Sequence, residues 1–361
     1  MGLALVVYNL TLVLSVLFAW LANVVKKRLV SRFFLFAGLC IIIFVSVFRG
    51  LEVGTDNSTY AQYYNDLDPS FDVWSNIILN VGVFEPGYIV LNYFLKLNGT
   101  SYIFVSFIYS LIIWYLVLKS FKRQKEILYL AIFLFITTGF LFFTFNGIRQ
   151  AIAMSAVFFS IPLVIEKKYF KFSLCIIAAA LFHISVLLML SLIFISKIKK
   201  WKTTFWGTLF VISIFIPGKL LYGIIGKVAF LFPFYGSYLG REDFNSSYTL
   251  TTGVIYQMML GFILLYYYHE VARSKIQVLY FHLFFIGQIL YNFFYANPFI
   301  NRFLVYFLFF EVYAFAFTIH FLIQRKRSAE TFLILISFFL VFTYKIVVGE
   351  SGASPFSFNF R

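Results

Sequence analysis

LALVVYNLTLVLSVLFAWLANVV, residues 3–25, carries no charge over a run long enough to cross a bilayer as a helix, which takes about 20 apolar residues. It lacks a basic leader and exceeds the apolar core of a secretory signal, so it reads as a retained helix. Runs of the same kind recur near 33–48, 102–119, 127–145, 150–166, 204–222, 252–269, 277–295, 303–323 and 329–348. Hydrophobic residues make up 62% of the chain and charged residues 12%, and the mean hydropathy is +0.92. No water-soluble domain sustains that balance. The runs are continuous rather than alternating, which excludes a β-barrel. The sequence therefore predicts an all-α polytopic membrane protein, a single integral domain over 1–361 with about ten crossing helices.

A net charge of +15 invites a nucleic-acid reading, but the basic residues fall in short clusters between apolar runs. They lie at Lys26-Lys27-Arg28 with Arg32, at Lys119 to Lys125, at Lys167-Lys168 with Lys171, at Lys197 to Lys202, at Arg273 and Lys275, and at Arg325-Lys326-Arg327. Clusters so placed set orientation and face the cytoplasm; they do not form a nucleic-acid surface. Cys40 and Cys175 both sit in apolar runs, so neither a disulfide nor a metal site is indicated. A Gly-rich phosphate loop, an HExxH and a paired CxxC are all missing from the sequence, which leaves nucleotide- and metal-driven chemistry without support.

Two apolar segments break the alternation that the clusters impose. Ile77 to Leu97 contains Glu85-Pro86-Gly87 at its middle, and Phe172 to Ile195 contains Phe182-His183-Ile184-Ser185. A helix stops before proline and turns at glycine, so the first is read as a re-entrant or kinked hairpin, and the second, with neither residue, by analogy. Non-helical backbone at that depth is tolerable only around a protein-lined cavity. On this layout the loops near 49–76 and 223–251 face outward together with Arg49, Asp56, Arg149 and Arg302, and His183 approaches the same side from within.

The polar stretch Arg49 to Tyr64, RGLEVGTDNSTYAQYY, is read in two ways. If Asp56 caps a helix from Ser58 onward, Asp56, Tyr60 and Tyr64 share one face and form a wall for a ligand. Otherwise it is an interfacial turn with its tyrosines in the aromatic belt. Arg149 and Gln150 open a helix after Asn146-Gly147, and Arg302 opens one after Asn297-Pro298. An arginine at a helix N-terminus has the wrong sign for the macrodipole, so either an anion is held there or the side chain snorkels to headgroups. Three arginines beside helix ends, 49, 149 and 302, suit a diphosphate clamp. His183 and Glu85 are ionisable groups in apolar runs, where function is the default expectation. Glu311 is expected to pair with Lys345. Arg241-Glu242-Asp243, with Tyr235, Tyr238 and Tyr248, has the mix of a sugar-binding surface.

In order along the chain come Arg49, Gly54-Thr55-Asp56 with Tyr60, then Glu85, Gly87 and Tyr88, then Arg149-Gln150, the Ala-rich run into Phe182-His183 and Ser185, and Asn301-Arg302. Over roughly 45–310 this set resembles the EpsG family of Wzy-type polysaccharide polymerases of O-antigen, capsule and exopolysaccharide clusters. Asn57 is a departure, standing where the family often has an aromatic residue, and bears on sugar preference.

The resemblance implies a glycosyltransferase-C-like fold in the bacterial inner membrane. It also implies a metal-independent, cofactor-free polymerase that faces the periplasm and joins oligosaccharide repeats carried on undecaprenyl diphosphate. A chain-length regulator and membrane lipid are the other expected partners. Arg149 and Arg302, with Arg49 supporting, would hold the diphosphate; Asp56, Glu85 and His183 are unranked candidates for the general base; Tyr60, Tyr64, Gln150 and Arg241 would contact sugar. A flippase for the same lipid-linked oligosaccharide, or a glycan ligase, is the alternative; ionisable residues gathered on one side disfavour the flippase.

Overall fold

A computed structural model describes residues 1–80, 82–121, 124–215, 251–294 and 298–360. Among these residues every regular element is helical, and one isolated antiparallel bridge joins Arg49 to Phe358. Seven helices are long and apolar enough to cross a membrane, or eight if the bent pair Lys125–Thr137 and Phe140–Asn146 is one span. The protein is thus an all-α polytopic membrane protein. About ten crossings were expected from hydropathy; the described residues supply fewer, partly because expected helix 204–222 is seen only as Thr203–Phe215. Arg241 and the loop near 223–251, apart from Thr251, lie outside the described residues.

The chain divides into two compact units. The first comprises Met1–Leu187 and Ile319–Arg361. It is built from α1 (Gly2–Val24), α2 (Arg28–Val47), α3 (Asn57–Asp66), α4 (Val73–Asn80), α5 (Pro86–Leu97), α6 (Tyr102–Ser120), α7 (Leu128–Thr137), α8 (Phe140–Asn146), α9 (Ile148–Ile165) and α10 (Tyr169–Ala180). A last long helix, Ser328–Val348, also belongs to it. α9 is the centre: 67% of its apolar window is buried inside the protein, against 33% for α1 and 22% for Ser328–Val348. Its small buried residues Ala151, Ala153 and Ser155 let α6 and α10 pack closely against it, the usual basis of helix association in lipid. The single span expected over 127–145 is bent by 53° where Gly139 takes a left-handed φ of +100°.

Both expected breaks are present. α4 ends at Asn80 and α5 starts at Pro86, with Pro86 in the first helical position, where its missing N–H costs nothing. α10 ends at Ala180, and a 3₁₀ segment runs over Ile184–Ser191. The stretch 49–76, expected as an outward loop, is not a plain loop, since it holds α3 and the start of α4.

The second unit, Leu188–Thr318, contains α11 (Leu192–Ile195), α12 (Thr203–Phe215), α13 (Thr252–Val271), α14 (Lys275–Phe294), α15 (Pro298–Leu308) and the start of α16 (Glu311–Gln324). Its interior carries a polar chain in which Asn292 Nδ2 donates to Ser213 Oγ at 2.8 Å and Gln288 Nε2 to Asn292 Oδ1 at 3.0 Å. Glu311 accepts from Gln257 Nε2 at 2.9 Å. Lys345, its expected partner, instead pairs with Glu350 at 3.1 Å in the first unit.

Candidate functional site

The two breaks of the first unit dock on each other through main chain. Gly87 N donates to the Leu181 carbonyl at 2.8 Å, and a Cβ at Gly87 would stand 2.7 Å from Leu181 Cβ and 2.8 Å from its oxygen. Only glycine permits that approach. Glu85, at the N-cap of α5, makes no side-chain bond to its own helix. Its carboxylate turns across the junction: Oε1 meets His183 Nδ1 at 2.9 Å and the Ile184 N–H at 3.4 Å, and Oε2 is paired with Arg149 Nη1.

Arg149 stands in the first turn of α9, where the helix dipole opposes a cation. The Glu85 carboxylate offsets this, and so do aromatic faces, with the guanidinium carbon 4.8 Å from the Phe84 ring centre, 5.7 Å from Tyr88 and 6.0 Å from Tyr60. Tyr63 packs on Phe84 at 4.2 Å. The side chains of Arg149, Glu85 and His183 are only 20%, 14% and 13% exposed.

Burial disfavours ionisation of Glu85, but the hydrogen bond from His183 and the charge of Arg149 outweigh it and hold its pKa below the ordinary carboxylate value. An ionised carboxylate only accepts, so His183 Nδ1 donates in this bond, and in the neutral imidazole Nε2 is then the atom with the lone pair. That Nε2 is buried without a partner among the described residues, and so are Arg149 Nε and the hydroxyls of Tyr63 and Tyr88. Burial pushes the Tyr63 hydroxyl up to about 12 and raises Tyr60, so both stay protonated at neutral pH. The cluster can therefore accept one proton at a defined atom and donate several hydrogen bonds around it.

The remaining expected site residues divide. Tyr60 lies in the cluster, whereas Tyr64, 1% exposed, donates to the Thr100 carbonyl at 2.8 Å and lies under Lys96. Asp56 is the residue before α3, which starts at Asn57; its side chain makes no cap bond, is exposed, and accepts from Thr55 Oγ1 at 3.2 Å. Gln150 is buried on α9. Arg302 is exposed on α15 of the second unit.

Arg49 is engaged inside the fold. Its guanidinium donates to the carbonyls of Ser46, Val53 at 3.2 Å and Phe145 at 3.4 Å and to Asn57 Oδ1 at 3.0 Å, and lies over the Phe145 ring. Asn57 is 2% exposed and also binds Gly50 O and Tyr102. It braces Arg49, which corrects the link drawn from this position to sugar preference. Sequence reasoning did not assign Phe84, Tyr88 and Tyr63 to the site, although Phe84 and Tyr88 flank Glu85 closely enough to have drawn attention.

No curated protein and no solved structure matches the chain. The family model described as EpsG matches residues 31–358, a span that takes in the Arg49 loop, both breaks, α9 and the C-terminal segment. The chain belongs to the EpsG family, whose members are Wzy-type polysaccharide polymerases.

Proposed function

We propose that the chain elongates a glycan at the outer leaflet of the bacterial inner membrane, moving the growing chain from undecaprenyl diphosphate onto a hydroxyl of the next lipid-linked repeat. The observation that carries this is the Glu85 carboxylate shared between Arg149 and His183, with His183 Nε2 left buried and unpartnered. His183 Nε2 takes the proton from the acceptor hydroxyl as that oxygen bonds to the anomeric carbon. The bond from that carbon to the diphosphate oxygen breaks, and the diphosphate leaves with the electron pair. Glu85 holds the imidazole tautomer and stabilises the imidazolium that forms, as carboxylates do behind catalytic histidines.

Arg149 meets the charge growing on the leaving group, through donors fixed before the reaction begins. On this reading guanidinium does the work that other transferases assign to a metal. Among the candidate bases, His183 ranks first: Asp56 is exposed and Glu85 is already paired. Arg49 drops out of the clamp because its donors are taken. Arg302 lies in the second unit and takes no role in this proposal. Tyr60, Tyr63 and Tyr88 offer hydroxyls and ring faces to sugar.

The test is elongation by purified protein supplied with lipid-linked repeat. Wild type yields a ladder, and His183→Ala and Arg149→Ala yield single repeats on the lipid. A wild-type ladder from either variant removes that residue from the chemistry. Movement of repeats across a vesicle bilayer without elongation replaces the polymerase with the flippase.

A further inference from the structure

The segment 349–360 contacts the first unit at points that converge on one turn. Gly50 N donates to Ser357 O at 2.8 Å, Asn359 N to Phe48 O at 2.8 Å, and Gly54 N to Gly352 O at 3.0 Å. Tyr8 on α1 donates to Ala353 O at 2.9 Å. Asn146 is the hub. Its Nδ2 donates to Ser351 O at 2.8 Å and to Phe142 O at 3.2 Å, and its Oδ1 accepts from Thr55 Oγ1 at 3.0 Å. The next residue, Gly147, is the N-cap of α9, whose first turn carries Arg149.

We propose that Asn146 is a positioning residue for Arg149, and that the 349–360 segment sets the guanidinium of the reaction centre through it. This rests on the reading of Arg149, Glu85 and His183 given above. α8 and α9 meet at Gly147, so the side-chain bonds of Asn146 fix where α9 begins, and a shift there of about 1 Å costs on the order of 10²-fold in rate. The ionisable groups that face Arg149 and His183 are Glu85 from the first break, Tyr60 and Tyr63 from α3 and Tyr88 from α5, with Asp56 at the rim.

The experiment is steady-state elongation by purified full-length protein, with folded fraction measured alongside. Asn146→Ala lowers kcat by about 10²-fold, with KM for the lipid-linked repeat changed little. Thr55→Val does the same more weakly, and Thr55→Ser restores wild-type behaviour. Deletion of 349–361 reproduces Asn146→Ala. A wild-type kcat in Asn146→Ala overturns the proposal, and so does a loss that only tracks the folded fraction. If His183→Ala is active, the reading of the base fails instead. Asn146 then stands or falls on kcat per folded molecule.

Discussion

Arg49 and Arg149 look alike in the sequence, each an arginine beside a helix end after an apolar run, and their surroundings differ in sign. Arg49 follows the C-terminus of α2 and receives carbonyls from the last turns of α2 and α8, where helix dipoles favour a cation. Arg149 opens α9, where the dipole opposes it, and needs Glu85 and three aromatic rings to stay. The first guanidinium is satisfied by main chain and braces the fold. The second is held by an ionisable partner and keeps a buried donor, Nε, unpaired. In a membrane chain, which end of a helix an arginine occupies separates structural from chemical use better than proximity to an end.

The largest effect expected from breaking this contrast is Arg49→Ala. It orphans buried carbonyls and Asn57, with a loss on the order of 3–5 kcal/mol, seen as collapse of monodisperse protein in size-exclusion chromatography. Arg49→Lys fails to rescue it, because one ammonium lacks the planar fork that reaches separate acceptors. Arg149→Lys keeps the charge and the folded yield, yet lowers elongation by about 10²–10³-fold. Equal folded yields for the two lysine variants would erase the distinction.

Gly87→Ala comes next, forcing a methyl against the Leu181 carbonyl at a cost of about 1–3 kcal/mol, read as a lower thermal midpoint together with lower turnover. Glu85→Gln sharpens the contrast through pH. The folded-state pKa of Glu85 is depressed, so its contribution to stability is complete above the unfolded value of about 4.3 and is lost as pH falls through the folded value. Thermal midpoints measured from neutral to acid pH should fall less steeply for Glu85→Gln than for wild type. Tyr64→Phe is the smallest, about 1 kcal/mol from the lost bond to Thr100, with product length unchanged; altered product length would return Tyr64 to the sugar site.

The membrane class and both interruptions were legible because they rest on local patterns: apolar runs, and Pro86-Gly87 inside one of them. The Phe182–Ser185 interruption was marked only by polar residues, and these sufficed. What local pattern could not give was partnership. Glu85 meets residues 64 and 98 positions away, and nothing in its neighbourhood names Arg149 or His183 as the ones. Asn57 misled for the same reason: its value lies in a distant Tyr102 and in carbonyls that every residue possesses. The role of 349–360 was invisible because Ser351, Gly352 and Ala353 act through main-chain atoms, which leave no mark in residue identity.

The Gly87–Leu181 contact makes the acid–imidazole couple one mechanical body, since its spacing is fixed by backbone on both sides. The guanidinium rides on a separate lever, α9. A load on α9 can therefore move the guanidinium relative to the carboxylate without stretching the couple itself.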